Sequence, residues 1–119
     1  GYKMCAELHL NGEGIAKNEY VSLYFCIMPG TYDGIQTWPF MNHQLKMSVI
    51  NQSNMKGEKE HVIIPDVVKN PTCYTQPTAS RNLGIGLRNF LSHTLLTPDG
   101  PYVRNDTMFI RLEVLKSKK

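Results

Sequence analysis

Apolar and polar side chains alternate at every second residue, and this constrains the chain more than any other feature. From Tyr2 to Leu10 the even positions are Tyr2, Met4, Ala6, Leu8 and Leu10; the odd ones are Lys3, Cys5, Glu7 and His9. A strand points successive side chains to opposite faces, so this run predicts a strand with one buried and one polar face. Asn11-Gly12-Glu13-Gly14 follows, and its glycines and asparagine tolerate the positive φ a turn requires. The run EYVSLYFCIM alternates again, with Val21, Leu23, Phe25 and Ile27 on one face and Tyr20, Ser22, Tyr24, Cys26 and Met28 on the other. Two such strands across a short loop predict an antiparallel hairpin.

The same period recurs downstream. HQLKMSVINQ predicts a strand with Leu45, Met47 and Val49 inward, EHVII a short one, and DTMFIRLEVLK a last one with Met108, Ile110, Leu112 and Val114 on one face. PGTYDGIQTWPF reads as a loop, because its prolines and glycines exclude a regular element; Trp38-Pro39-Phe40 is expected to plug one end of the core. Prolines and small polar residues from Pro65 to Asn82 predict irregular chain. NLGIGLRNFLSHTLL is ambiguous between an extended edge and, from Phe90 to Leu96, a helical turn. About six strands separated by turn signals predict an all-β antiparallel sandwich.

Bulk properties narrow the function. A length of 119 residues predicts one domain. A net charge of +3 is too small for a nucleic-acid footprint, and Lys116, Lys118 and Lys119 read as a solvated terminus. No apolar run is long enough for a membrane span, and no secretory leader opens the sequence. Cys5, Cys26 and Cys73 are odd in number and widely spaced, which favours a reducing compartment over a disulfide framework.

Catalytic and cofactor chemistry find little support. Cys73 and His93 are the only candidates for a thiol–imidazole pair, with no helix N-terminus expected at Cys73 to activate it. His9, His43, His61 and His93 fall one per element, so spacing predicts no metal. LGIGLRN lacks the third glycine of a dinucleotide loop. Its sparse side chains instead suit an exposed edge that accepts an added strand. Glu7 and His9 share a face with the outer residues Tyr20 and Tyr24, a composition suited to peptide recognition. From spacing alone a solvated sheet face is the stronger reading.

GYKMCAELHLNGEG, YVSLYFCIMPGTYDGIQTWPF, LKMSVINQS and YVRNDTMFIRLEV occur in an order that resembles the C-terminal (TRAF-C/MATH) domain of the TNF receptor-associated factors, across nearly the whole of residues 1–119. The resemblance implies an eight-stranded antiparallel sandwich, here beginning at the third strand and lacking the first two. It implies a cytoplasmic signalling adaptor, trimeric in the full-length protein, that binds short receptor or adaptor tails as an added strand. It implies no enzymatic activity and no cofactor in this segment; the ubiquitin-ligase RING of many members is N-terminal to it. The peptide site carried over residue by residue comprises Glu7, His9, Glu13, Gly14, Tyr24, Tyr74, Ile85, Gly86 and Leu87. Tyr24, Tyr74, Ile85 and Leu87 are expected to supply apolar pockets, and Glu7 and Glu13 the charge preference.

The departures are specific. Glu7 stands where many members carry arginine, His9 where members carry tyrosine or, in one branch, histidine, and Pro71-Thr72-Cys73 where many carry a serine trio. Glu7 is therefore expected to repel an acidic ligand residue and to favour Lys or Arg by about 0.5–2 kcal/mol. Two alternatives stay open: an oligomerising domain with a vestigial groove, and a substrate-recruiting domain of a ubiquitin ligase or protease.

Overall fold

A computed structural model describes residues 1–53 and 58–116. Lys118 and Lys119, read above as solvated, lie outside them. The elements are β1 (Lys3–His9), β2 (Tyr20–Met28), β3 (His43–Val49), β4 (Lys59–Ile63), α1 (Pro71–Tyr74), β5 (Ile85–Ser92) and β6 (Ile110–Lys116). They form two three-stranded antiparallel sheets, ordered β1-β2-β5 and β4-β3-β6. This is the expected all-β sandwich.

Alternation sets the register because a one-residue slip would turn every apolar side chain outward. The hairpin pairs Glu7 with Tyr24 and His9 with Ser22. Val21, Leu23, Phe25 and Ile27 of β2 face Leu45, Met47 and Val49 of β3 in one buried cluster. The predicted plug closes one end of it. Phe40 is fully buried, Tyr2 meets Trp38 and Phe40 edge-on at 5.1 and 4.7 Å, and the Trp38 indole N–H donates to the Asp33 carbonyl. The Trp38–Pro39 peptide bond is cis.

Four expectations change. The segment from Pro65 to Asn82 contains the short helix α1, which Pro71 starts at a position where its missing N–H costs nothing. The last strand begins at Ile110 rather than Asp106, because Asn105 and Asp106 adopt φ of 53° and 58° in a tight turn closed by Arg104 and Thr107. Val114, expected inward, stays exposed. Ser22 and Cys26 are buried although they lie on the outer face of β2, because Gly84 passes close over Cys26 and two backbone groups close on the Ser22 hydroxyl. The ambiguous run resolves into β5 followed by a single turn of 3-10 helix at His93–Leu95.

α1 carries Tyr74 into the core, where it is 1% exposed. Burial, with smaller help from Cys73 and Asp66, pushes its phenol up to about 12. An unfolded tyrosine ionises near pH 10. Stability linked to Tyr74 is therefore fully present below that value and falls as pH rises towards the folded value. Between about pH 10 and pH 12 the chain should lose about 2–3 kcal/mol through this group. Urea denaturation across that range should show a shallower loss in Tyr74→Phe; equal losses would remove Tyr74 as the cause.

Among the described residues β1 and β6 each end their sheet, on the same side of the sandwich. Between them Leu8, Leu10, Leu96, Val103, Met108 and Ile110 line an apolar hollow, with Leu8 43% and Leu10 60% exposed. Among the described residues no helix is long and apolar enough to cross a membrane.

Candidate functional site

The outer face of β1-β2-β5 gathers the polar residues singled out by sequence. Glu7 and His9 are two residues apart on β1 and so share a face. Tyr24 stands opposite Glu7 on β2, its ring edge-on to His9 at 6.0 Å. Glu13 arrives from the turn. Gly12 and Gly14 hold φ of 80° and 60° there, and a Cβ on Gly12 would meet the Ala16 carbonyl oxygen at 2.3 Å. The Glu13 N–H donates to the Ser22 hydroxyl (3.0 Å), which in turn donates to the Arg88 carbonyl (2.6 Å). That carbonyl is freed by an irregularity in the β2–β5 register between Val21 and Leu23. A bulge strands a backbone group, and Ser22 satisfies it.

Charge on this face is strongly coupled. His9 Nε2 lies 2.7 Å from Glu7 Oε2 and 3.5 Å from Glu13 Oε2. Because its nearer partner is an acceptor, Nε2 carries the proton. Arg81 approaches Glu7 Oε1 at 3.2 Å, and the Tyr24 hydroxyl donates to Glu13 Oε1 at 3.1 Å. The His9 hydrogen bond holds the Glu7 carboxyl below the usual carboxylate range; partial burial opposes this and Arg81 reinforces it. Burial and the Glu13 carboxylate push the Tyr24 phenol up. Cys26, whose thiol lies 3.8 Å from Glu7 Oε1, is pushed up to about 11 by burial and by the neighbouring Cys5 and Glu7.

The expected site residues fall into two groups. Glu7, His9, Glu13, Gly14 and Tyr24 come together on the outer face, and Gly86 joins them by pairing with Tyr24. A Cβ on Gly14 would touch only the Arg88 guanidinium, at 3.7 Å. Tyr74 belongs to the core instead, so it supplies no open pocket. Ile85 and Leu87 are half-buried and pack against the core, so the side chains that β5 exposes are those of Arg88 and Asn89. The proposed thiol–imidazole pair has other engagements: Cys73 is buried with its sulfur on the Gly84 carbonyl, and the His93 ring nitrogen binds the Leu10 carbonyl at 2.8 Å. Burial pushes the Cys73 thiol up, away from the reactive thiolate.

Two features escaped the sequence reading. Arg81 lies in irregular chain whose path no local pattern determines, and it returns a positive charge to the place where Glu7 had reversed one. The convergence of Glu7, His9 and Glu13 was half legible, since a Glu-x-His pair on one strand face followed by a glycine-flanked acid is a recognisable spacing.

Known proteins agree with this architecture. The family model for the TRAF/meprin MATH domain matches residues 1–111. The chain is 33% identical over 118 residues to mouse TNF receptor-associated factor 5, covering 96% of this chain and 20% of that protein. It is 35% identical over 115 residues to human TNF receptor-associated factor 1, covering 93% of this chain and 26% of that one. The solved structure of Notothenia coriiceps TRAF5 superposes with a TM-score of 0.89 at 30% identity, over 100% of this chain and 58% of that one. The chain thus spans roughly a quarter or less of these curated relatives. The matched domain is a protein-interaction module and not an enzyme. Fold and sequence together place this chain in the TRAF/meprin MATH-domain family, among the domains of the TNF receptor-associated factors.

Proposed function

We propose that this chain is the peptide-docking module of a cytoplasmic, TRAF-like signalling adaptor that binds short receptor or adaptor tails. The observation that carries the reading is β5. It ends the order β1-β2-β5, and Gly86, paired with Tyr24, lets it lie close against β2 next to the polar face. An edge strand offers unpaired N–H and C=O groups to an extended peptide, and neighbouring side chains select among peptides. Trimerisation of the parent protein belongs to the same proposal, because clustered tails then gain avidity.

Glu7 sets a weaker charge preference than its sequence position suggests, since Arg81 and His9 already engage both its oxygens. The test is calorimetry with extended peptides that carry Lys, Gln or Glu opposite Glu7. The native chain should discriminate among them by less than about fivefold, the scale of an exposed ion pair. Arg81→Ala unmasks Glu7 and should raise the preference for Lys to about five- to tenfold. An unchanged preference would show that Arg81 does not mask Glu7, and no saturable binding of any peptide would sink the docking reading.

A second reading, an assembling domain with an idle groove, draws on the apolar hollow between β1 and β6. It predicts concentration-dependent sedimentation without peptide binding.

A further inference from the structure

We propose that Glu7, His9 and Glu13 form a Zn2+-binding site on the outer face of the β1-β2-β5 sheet. One ligand atom from each residue lies within 4.8 Å of the other two. The chemistry of the donor set is an imidazole nitrogen and two carboxylate oxygens, to which solvent water would add a fourth ligand. Zn2+ accepts such a set in tetrahedral geometry at metal–ligand distances of about 2.0–2.2 Å, which separates the ligand atoms by roughly 3.3 Å. The 2.7 and 3.5 Å separations about His9 Nε2 bracket that value.

Hydrogen bonding leaves a proton-sized mismatch that a cation removes. Nε2 has one hydrogen, yet two carboxylate oxygens point at it. Glu7 Oε2 takes the hydrogen at 2.7 Å, while Glu13 Oε2 stands off at 3.5 Å. A divalent ion at Nε2, with the imidazole hydrogen moved to Nδ1, would engage all three atoms at once and neutralise two negative charges. Each carboxylate is already held by its other oxygen, Glu7 Oε1 by Arg81 and Glu13 Oε1 by the Tyr24 hydroxyl. Such outer partners orient carboxylate ligands in metal sites and leave one oxygen of each turned inward. The framework is firm: Glu7 and His9 are on a paired strand, and the Glu13 backbone is tied to Ser22. Ca2+ and Mg2+ are poor candidates, because they take six or more oxygen ligands and disfavour imidazole.

The test needs no peptide and so stands apart from the docking reading. The 119-residue chain, with thiols kept reduced by a phosphine, is titrated with ZnCl2 by calorimetry and with CoCl2 by absorption spectroscopy. The expected result is one saturable ion per chain, a Co2+ spectrum without a thiolate charge-transfer band, and no competition from millimolar Mg2+. His9→Gln and Glu13→Gln should each weaken binding by at least about tenfold, and Tyr24→Phe by about tenfold through Glu13 alone. Melting curves in EDTA confirm that the variants are folded. Absence of saturable binding at millimolar Zn2+ overturns the proposal. So does a thiolate band, or affinity unchanged in His9→Gln and Glu13→Gln, because the ion would then sit elsewhere. Undiminished affinity in Tyr24→Phe overturns the pre-orientation on which the assignment rests.

Discussion

Phe40→Ala should lower the unfolding free energy by about 3–5 kcal/mol, the range for truncating a buried aromatic. Phe40 is completely enclosed, and its ring is shared by three neighbours: Tyr2 edge-on at 4.7 Å, His43 stacked at 5.6 Å and Tyr74 stacked at 6.4 Å. Aromatic pairs of this kind contribute about 0.5–1.5 kcal/mol each beyond simple burial. Its N–H also donates to the Tyr74 carbonyl at 2.8 Å, so the backbone is pinned and collapses poorly into the cavity. The melting temperature should fall by roughly 10–20 °C for a domain of this size. Urea and thermal denaturation measure both quantities. A loss under about 1.5 kcal/mol would mean that the plug is not a structural keystone of the sandwich.

Gly86→Ala is the second large effect, and here one methyl group is added. A Cβ at position 86 would lie 2.1 Å from the Leu23 carbonyl oxygen and 2.8 Å from the Tyr24 Cα. Both are backbone atoms, so no rotamer change relieves the clash and β5 must move away from β2. Overpacking costs about 1–3 kcal/mol where side chains can adjust; a clash against backbone belongs at or above the upper end. The shift also moves the free edge of β5, so peptide affinity should fall further than stability alone explains. Hydrogen exchange of amides in β5, compared with those in β3, separates the two. Equal protection in both strands relative to the native chain would defeat the prediction.

How legible these features were depends on how local their causes are. The β1–β2 hairpin was readable because a period of two carries both the element and its register. The pairing of Glu7 with Tyr24 follows from it, and so does their shared face with His9. Trp38-Pro39-Phe40 was readable as a plug because two large aromatics must be buried somewhere. Tyr74 was misplaced because α1 has only four residues, too few to display a helical period. Ser22 and Cys26 were assigned to a wet face because alternation describes one strand and says nothing about what lies over it. Arg81 could not be paired with Glu7 from sequence, since a long-range ion pair has no periodicity.

Ser22 has a consequence for how such a surface changes under selection or in the laboratory. Its hydroxyl grips the backbone N–H of Glu13 and the backbone carbonyl of Arg88, not their side chains. The side chains at 13 and 88 are therefore interchangeable parts on a fixed chassis. New ligand preferences can be installed there by substitution while the bulge, the turn and the edge strand keep their places, provided that position 22 retains a hydroxyl.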